Sequence, residues 1–340
     1  MKRYSSCQLL VFIARLCACM FWLAVSTSNA EQGDPTLLDE LSGVLASEPI
    51  QPIPLTVTLN NDKVQLGKRL FSDPRLSHDD TVACITCHNL ESGGTDHLKR
   101  PIGIGGTEGD INTLTVFNSA NNFALFWDGR AETLEDQIDV SLTNPKEIGF
   151  NWRGVINKLG KDPGYVTVFS RIYPQGITAE TIKDAIATFE RSLVTPNSRF
   201  DRYLRGDSTA ITEDEKRGYQ YFKSYGCIAC HQGMNVGGNM FQIFGVMADY
   251  FTDRGNITKA DLGRFNVTGD ETDRYRFVVS GLRNVAETPP YFHDGSADTL
   301  EQAVMVMAKY QLGRTIPVED VELIARFLRT LSGEYNGEPL

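Results

Sequence analysis

Two stretches of the chain carry the same pattern: Cys84-Ile85-Thr86-Cys87-His88 and Cys227-Ile228-Ala229-Cys230-His231. Cys-x-x-Cys-His is the attachment pattern of c-type haem. Cysteines three apart each form a thioether to a haem vinyl group, and the adjoining histidine is held under the iron as proximal ligand. For a single copy, a zinc knuckle and a thioredoxin-like redox pair are the alternatives. Two copies in an exported chain disfavour both. No other feature constrains the fold as much.

Export is read from the first thirty positions. Lys2 and Arg3 form a positive end, Leu9 to Val25 is mainly apolar with Arg15 inside it, and Ser28-Asn29-Ala30 offers a small-residue cleavage site. An uncleaved anchor is the competing reading, and the apolar run is short for one. The expected location is the periplasm, with no membrane span in the mature chain. Of seven cysteines, Cys7, Cys17 and Cys19 fall in this segment and the other four are the two haem pairs. None remains for a structural disulfide, although an exported compartment permits one. Removing Lys2, Arg3 and Arg15 leaves 30 basic against 43 acidic residues, a net charge of −13. An acidic body does not suit nucleic acid. It suits a partner with a basic contact face, and it equally serves plain solubility.

The 340 residues are enough for about two domains. Gln51-Pro52-Ile53-Pro54 reads as an extended lead-in wrapping the body. Val64 to Phe71 reads as a short helix stopped by Asp73-Pro74-Arg75. Glu91 to Gly109 is rich in glycine but lacks the strand and helix of a phosphate cradle, so it is expected to be a flexible loop over a haem face. Ile182, Ala185, Ile186, Phe189 and Leu193 fall on one helical face with Thr178 as N-cap. Thr212 with Glu215, and Asp298 with Glu301, read as capping boxes. Pro317 fits the first turn of a last helix. The expected class is mainly α.

An internal repeat divides the chain. Gly67-x-x-x-Phe71 precedes the first haem motif and Gly218-x-x-x-Phe222 the second. Downstream, Phe126-Trp127-Asp128-Gly129-Arg130-Ala131 is echoed by Phe292-His293-Asp294-Gly295-Ser296-Ala297. Two echoes in the same order imply two related haem domains. The expected division is an export signal over 1–30, a first domain over 31–205 and a second over 206–340, with the boundary near Arg205-Gly206-Asp207.

The chain resembles the bacterial di-haem cytochrome c peroxidases and their MauG-type relatives. The resemblance rests on Leu70-Phe71-Ser72-Asp73-Pro74-Arg75-Leu76-Ser77, both haem pairs, Thr115-Val116-Phe117-Asn118, Phe126 to Ala131, and Leu282-Arg283-Asn284-Val285 through Tyr291-Phe292-His293. It implies two cytochrome-c-like domains with two covalent haem c groups, and a calcium ion at their interface. The implied activity is reduction of hydrogen peroxide to water. Electrons would come from a small cytochrome c or cupredoxin, with the second haem feeding the first. Relatives are often dimers, which leaves a homodimer open.

The resemblance also assigns residues. His88 would be the proximal ligand of the peroxidatic haem, with Glu147 as distal acid–base group and Gln137 as a second distal polar group. Without it, an isolated Glu or Gln reads as a solvated residue. His231 would carry the electron-transfer haem, with Met307 as sixth ligand; thioether ligation raises the reduction potential. Met305 reads as a core filler. Trp127 matches the tryptophan between the haems. Asn112, Thr288 and Pro290 match the calcium site.

One position departs from the family. Many members carry a histidine in the Gly-rich loop that caps the resting peroxidatic iron, and here Ile104 stands there. The expectation is a first haem open without prior reduction. His97, earlier in the loop, is the only nearby substitute; His78 reads as a surface turn, and His293 as a hydrogen-bonding group near the interface. MauG-type enzymes carry a tyrosine where this chain has Met307. That disfavours the alternative function, an oxidase using peroxide on a residue of a partner protein.

Overall fold

The computed structural model describes residues 48–340, and the export signal read over 1–30 lies outside them. The described chain is mainly helical. Its helices are α1 (Asn61–Phe71), α2 (Cys84–Cys87), α3 (Leu134–Thr143), α4 (Trp152–Leu159), α5 (Pro163–Ile172), α6 (Ala179–Ser192), α7 (Arg199–Leu204) and α8 (Glu213–Tyr225). They continue as α9 (Tyr250–Arg254), α10 (Phe265–Thr268), α11 (Leu300–Tyr310) and α12 (Val318–Arg329). Among the described residues, sheet is confined to two short antiparallel pairs. β1 (Phe241–Ile243) pairs with β2 (Arg276–Val278), and β3 (Glu334–Tyr335) with β4 (Glu338–Pro339).

Capping explains most helix starts. Asn60 accepts from the Lys63 N–H at 3.1 Å and opens α1, three residues before the expected start. The helix ends where the Asp73 side chain turns back to accept from the Arg75 N–H at 3.0 Å. Thr178 caps α6 and Thr212 with Glu215 boxes α8, as the sequence predicts. The expected box at Asp298 and Glu301 sits one residue later, at Thr299 and Gln302, where the Thr299 hydroxyl accepts from the Gln302 N–H at 3.2 Å. Pro317 is the N-cap of α12 rather than a first-turn residue.

The repeat is structural. An added Cβ at Gly67 would lie 2.0 Å from the Ala185 carbonyl oxygen and 2.7 Å from Phe189 Cβ, so α1 and α6 touch backbone to backbone. Gly218 repeats this on α12, at 2.0 Å from the Leu323 oxygen and 3.0 Å from Phe327 Cβ. Phe71 then meets Phe189 at 5.3 Å and His88 at 6.5 Å; Phe222 meets Phe327 at 5.2 Å and His231 at 6.4 Å.

The second echo is a turn used twice. Leu125 donates to the Ala131 oxygen at 2.8 Å and Tyr291 to the Ala297 oxygen at 2.7 Å. Gly129 and Gly295 both take positive φ at its tip, 64° and 62°.

Two large apolar clusters follow from these helix pairs. One draws on residues from Leu66 to Leu193, the other on Ile50 and residues from Phe200 to Leu331. The lead-in belongs to the second: Ile50 and Ile53 are fully buried, and Gly233 and the 49–51 backbone exchange hydrogen bonds. Asn118 and Asn284, both at φ 58°, stitch the clusters together through the Thr195 hydroxyl, at 2.7 and 2.9 Å.

Candidate functional site

Each Cys-x-x-Cys-His opens onto its own cavity. Cys84, Cys87 and His88 line the first, and Cys227, Cys230 and His231 the second. The four motif cysteines are unpaired with one another, and burial pushes Cys87 up to about 12 and Cys227 up to about 11. Among the described residues, neither motif brings three ligand atoms within 4.8 Å of one another, so the zinc-knuckle reading falls.

Both imidazoles are oriented by backbone. His88 Nδ1 faces the Gly94 oxygen at 3.2 Å and His231 Nδ1 the Val236 oxygen at 3.3 Å. A backbone bond at Nδ1 turns Nε2 of a ring toward a metal. Burial holds both below the usual histidine range, His231 at about 4, so both are neutral, as iron ligation requires. Paired cysteines, a neutral histidine beside each pair and a cavity at each motif together fit two covalently attached haems.

The cavities differ in their remaining walls. Gln137, Ser141 and Glu147 line the first. Gln137 and Ser141 sit one turn apart on α3, and Gln137 Nε2 donates to Ser141 Oγ at 2.9 Å. Glu147 follows α3 in the Asn144-Pro145-Lys146 turn, where Asn144 Nδ2 donates to its Oε1 at 2.7 Å. Burial raises the Glu147 carboxyl above its ordinary range. Bonds from Ser141 and Asn144 and the charge of Arg130 offset part of that rise. Ser141 and Arg130 were not singled out from sequence. The i, i+4 spacing of Gln137 and Ser141 was the available signal for the former.

Met307 lines the second cavity, whereas Met305 is 47% exposed on the same helix and does not. The core-filler role expected for Met305 is thus corrected: α11 turns that side chain to solvent. Trp127 lines both cavities and donates from Nε1 to the Asn112 carbonyl oxygen at 2.9 Å. Asn112, Thr288 and Pro290 are all in the lining of the second cavity.

The Gly-rich loop is anchored on the Glu147 turn. Ile104 N–H donates to the Glu147 carbonyl at 2.9 Å, and a Cβ at Gly103 would fall 2.0 Å from the Lys146 oxygen. Ile104 packs against Gly149. His97 turns away from the first cavity, its Nδ1 facing the Pro289 oxygen at 3.0 Å. His78 is exposed and meets Phe150 edge-on at 5.5 Å.

His293 is buried, stacks on Phe277 at 4.6 Å and pairs through Nε2 with Asp261 at 2.7 Å. Asp261, His293 and Asp294 form a ligand-like cluster, but the Arg254 guanidinium already bridges the two carboxylates.

A family model described as di-haem cytochrome c peroxidase matches residues 61–209. The chain is 50% identical over 290 residues to the cytochrome c peroxidase Ccp of Escherichia coli (strain K12), a match covering 85% of this chain and 62% of that protein. It is 44% identical over 295 residues to the cytochrome c551 peroxidase of Nitrosomonas europaea, covering 86% of this chain and 87% of that one. The crystal structure of a MauG-like protein associated with microbial copper homeostasis superposes with a TM-score of 0.72 at 28% identity, covering 84% of this chain and 94% of that chain. The chain belongs to the di-haem cytochrome c peroxidase family.

Proposed function

We propose that the protein reduces hydrogen peroxide to water with electrons from a small periplasmic cytochrome c or cupredoxin. The observation that carries this is the asymmetry of the two cavities: Glu147 and Gln137 wall the first, Met307 the second, and Trp127 both. Cys84, Cys87 and His88 would hold one haem c, and Cys227, Cys230, His231 and Met307 the other. Bound haem iron supplies a site for peroxide and one-electron chemistry. Glu147 takes a proton from the near peroxide oxygen and delivers it to the far one. Burial raises its pKa, which makes it a better proton acceptor than an exposed carboxylate. Gln137, held by Ser141, orients peroxide or water beside it. Trp127 couples the cavities, which fits a second haem feeding the first.

The domain division at about residue 205 and a calcium ion held by Asn112, Thr288 and Pro290 belong to the same reading. Asn112 spends its side-chain N–H on the Leu98 oxygen, which leaves its amide oxygen for a cation. Export through residues 1–30 completes it; no helix among the described residues is long and apolar enough to cross a membrane. The rival oxidase acting on a partner protein draws on Ile104, and Met307 in the second cavity counts against it.

The test is peroxide turnover by fully oxidised protein, with a reduced small c-type cytochrome added as donor. Immediate turnover with one high-spin haem is expected, because Ile104 cannot cap iron. An obligatory pre-reduction step refutes the open first site, and no donor consumption refutes the peroxidase reading.

A further inference from the structure

Glu190 is a buried carboxyl that the proposed chemistry leaves unused. It is 6% exposed, lines the first cavity, and its Oε2 has no hydrogen-bond partner. Ser119 Oγ, on a turn packed against α6, is likewise buried, unpartnered and in the wall of that cavity. Unpaired buried polar atoms are costly, and few survive in a fold without a role.

The internal repeat supplies the control. Gly67 against Ala185 and Phe189 corresponds to Gly218 against Leu323 and Phe327, so Glu190 corresponds to Leu328. Asn118 corresponds to Asn284, so Ser119 corresponds to Val285. Leu328 and Val285 line the second cavity. The same architecture is therefore built with apolar side chains at both places around the electron-transfer site. Packing does not demand the carboxyl.

We propose that Glu190 is the redox-linked proton carrier of the first haem, a positioning residue that acts on the iron through its charge. The inference rests on the reading that this cavity holds the peroxidatic haem. When one electron arrives from the second haem, the Glu190 carboxylate takes one proton from water, and the added negative charge is balanced. When that electron leaves, the proton returns to water. Leu328 can do neither, so the second haem lacks this coupling.

The surroundings make Glu190 hold a proton more tightly than an exposed carboxyl does, so it can gain one when the iron is reduced. Burial, then the Glu135 carboxylate on α3, push Glu190 up to about 8, and the Arg191 cation opposes them. Arg191 is spoken for by Glu135, with paired bonds of 2.9 and 3.0 Å. Cys84 on α2 is the neighbouring thiol that feels the Glu190 charge. On α1, Lys63 pairs with Asp184 and Arg69 with Asp162, and the 119–121 turn carries no titratable group. Glu147 shares the cavity and titrates separately.

The test is the midpoint potential of each haem as a function of pH in the holoprotein, with Glu190→Gln, Glu190→Leu and Glu147→Gln beside the wild type. The first-haem potential of the wild type is expected to fall as pH rises around 8, because the carboxyl ionises more readily beside the oxidised iron. That fall is lost in Glu190→Gln and Glu190→Leu and kept in Glu147→Gln; Glu190→Gln stays at the low-pH value of the wild type. The reduced-minus-oxidised infrared spectrum should carry a protonated-carboxyl band that Glu190→Gln lacks. A Glu190→Gln protein with two covalent haems, peroxide turnover and an undiminished pH dependence refutes the Glu190 proposal alone. A wild type lacking either haem or turnover refutes the peroxidase reading beneath it.

Discussion

Replacing Gly67 by alanine sets two effects of opposite sign against each other. Gly67 lies in the middle of α1, where alanine is favoured over glycine by about 1 kcal/mol. On propensity alone the variant is more stable. The added Cβ, however, would sit 2.0 Å from the Ala185 carbonyl oxygen, a contact that real Cβ atoms do not make below 3.0 Å. The obstruction is backbone, so no rotamer change relieves it, and α1 and α6 must separate by about 1 Å. Overpacking of this kind costs about 1–3 kcal/mol, and a fixed obstruction puts it at the upper end. The net expectation is a loss of about 2 kcal/mol, a factor of up to about 30 in the folded-to-unfolded ratio. Guanidinium titration of the holoprotein, followed by far-ultraviolet circular dichroism and haem absorbance, reads this directly. Gly218→Ala, with the same 2.0 Å approach to Leu323, should lose a similar amount. A Gly67→Ala protein that unfolds at higher denaturant than the wild type would show that propensity wins and that the backbone contact is looser than described.

Three further outcomes follow from the buried charges. Glu147→Gln should lower kcat by roughly 10²–10⁴ with both haems attached, while Ser141→Ala, which removes a bond that lowers the Glu147 pKa, should move the acid limb of the pH–rate profile upward; an unmoved limb would exclude Glu147 as the titrating base. Asp261→Asn should cost about 3–5 kcal/mol at pH 7 by leaving Arg254 and His293 without their buried partner. Burial alone would raise Asp261, but bonds from His293, Arg254 and Thr258 outweigh it and hold it far below the ordinary range. Its contribution is therefore complete above the unfolded value of about 4 and fades as pH falls below it. Denaturation at pH 7 and pH 3 should show the gap between wild type and variant narrowing, and a constant gap would contradict the linkage.

The helices, their caps and the twofold repeat were readable from the chain because they are local: a threonine before an apolar face, or a glycine four residues before a phenylalanine. The cavity residues named by resemblance, Glu147, Gln137, Met307 and Trp127, do line the cavities. What stayed hidden depends on distant partners. Ser141 reads as an ordinary helix serine until the Asn144 turn brings Glu147 beside it. Glu190 reads as a surface residue between Phe189 and Arg191 until the fold buries it against the first cavity. The lead-in looked like part of the first half, yet Ile50 pairs with Gly233, because an extended segment carries no signal of which core it will reach. The one-residue shift at Thr299 reflects two adjacent residues, Asp298 and Thr299, both able to cap.

The wall between the two cavities is common property. Asn112, Thr113, Leu114, Thr115 and Trp127 come from the first half of the chain, and Ser280, Gly281 and Arg283 from the second, and each of them borders both cavities. A chain cut at the midpoint would leave each half with an open side where the other half's backbone now stands. The duplication therefore did not yield two cytochromes joined by a tether. It yielded halves that each finish the other's binding site, so neither can be excised, swapped or evolved at that wall without altering both redox centres at once.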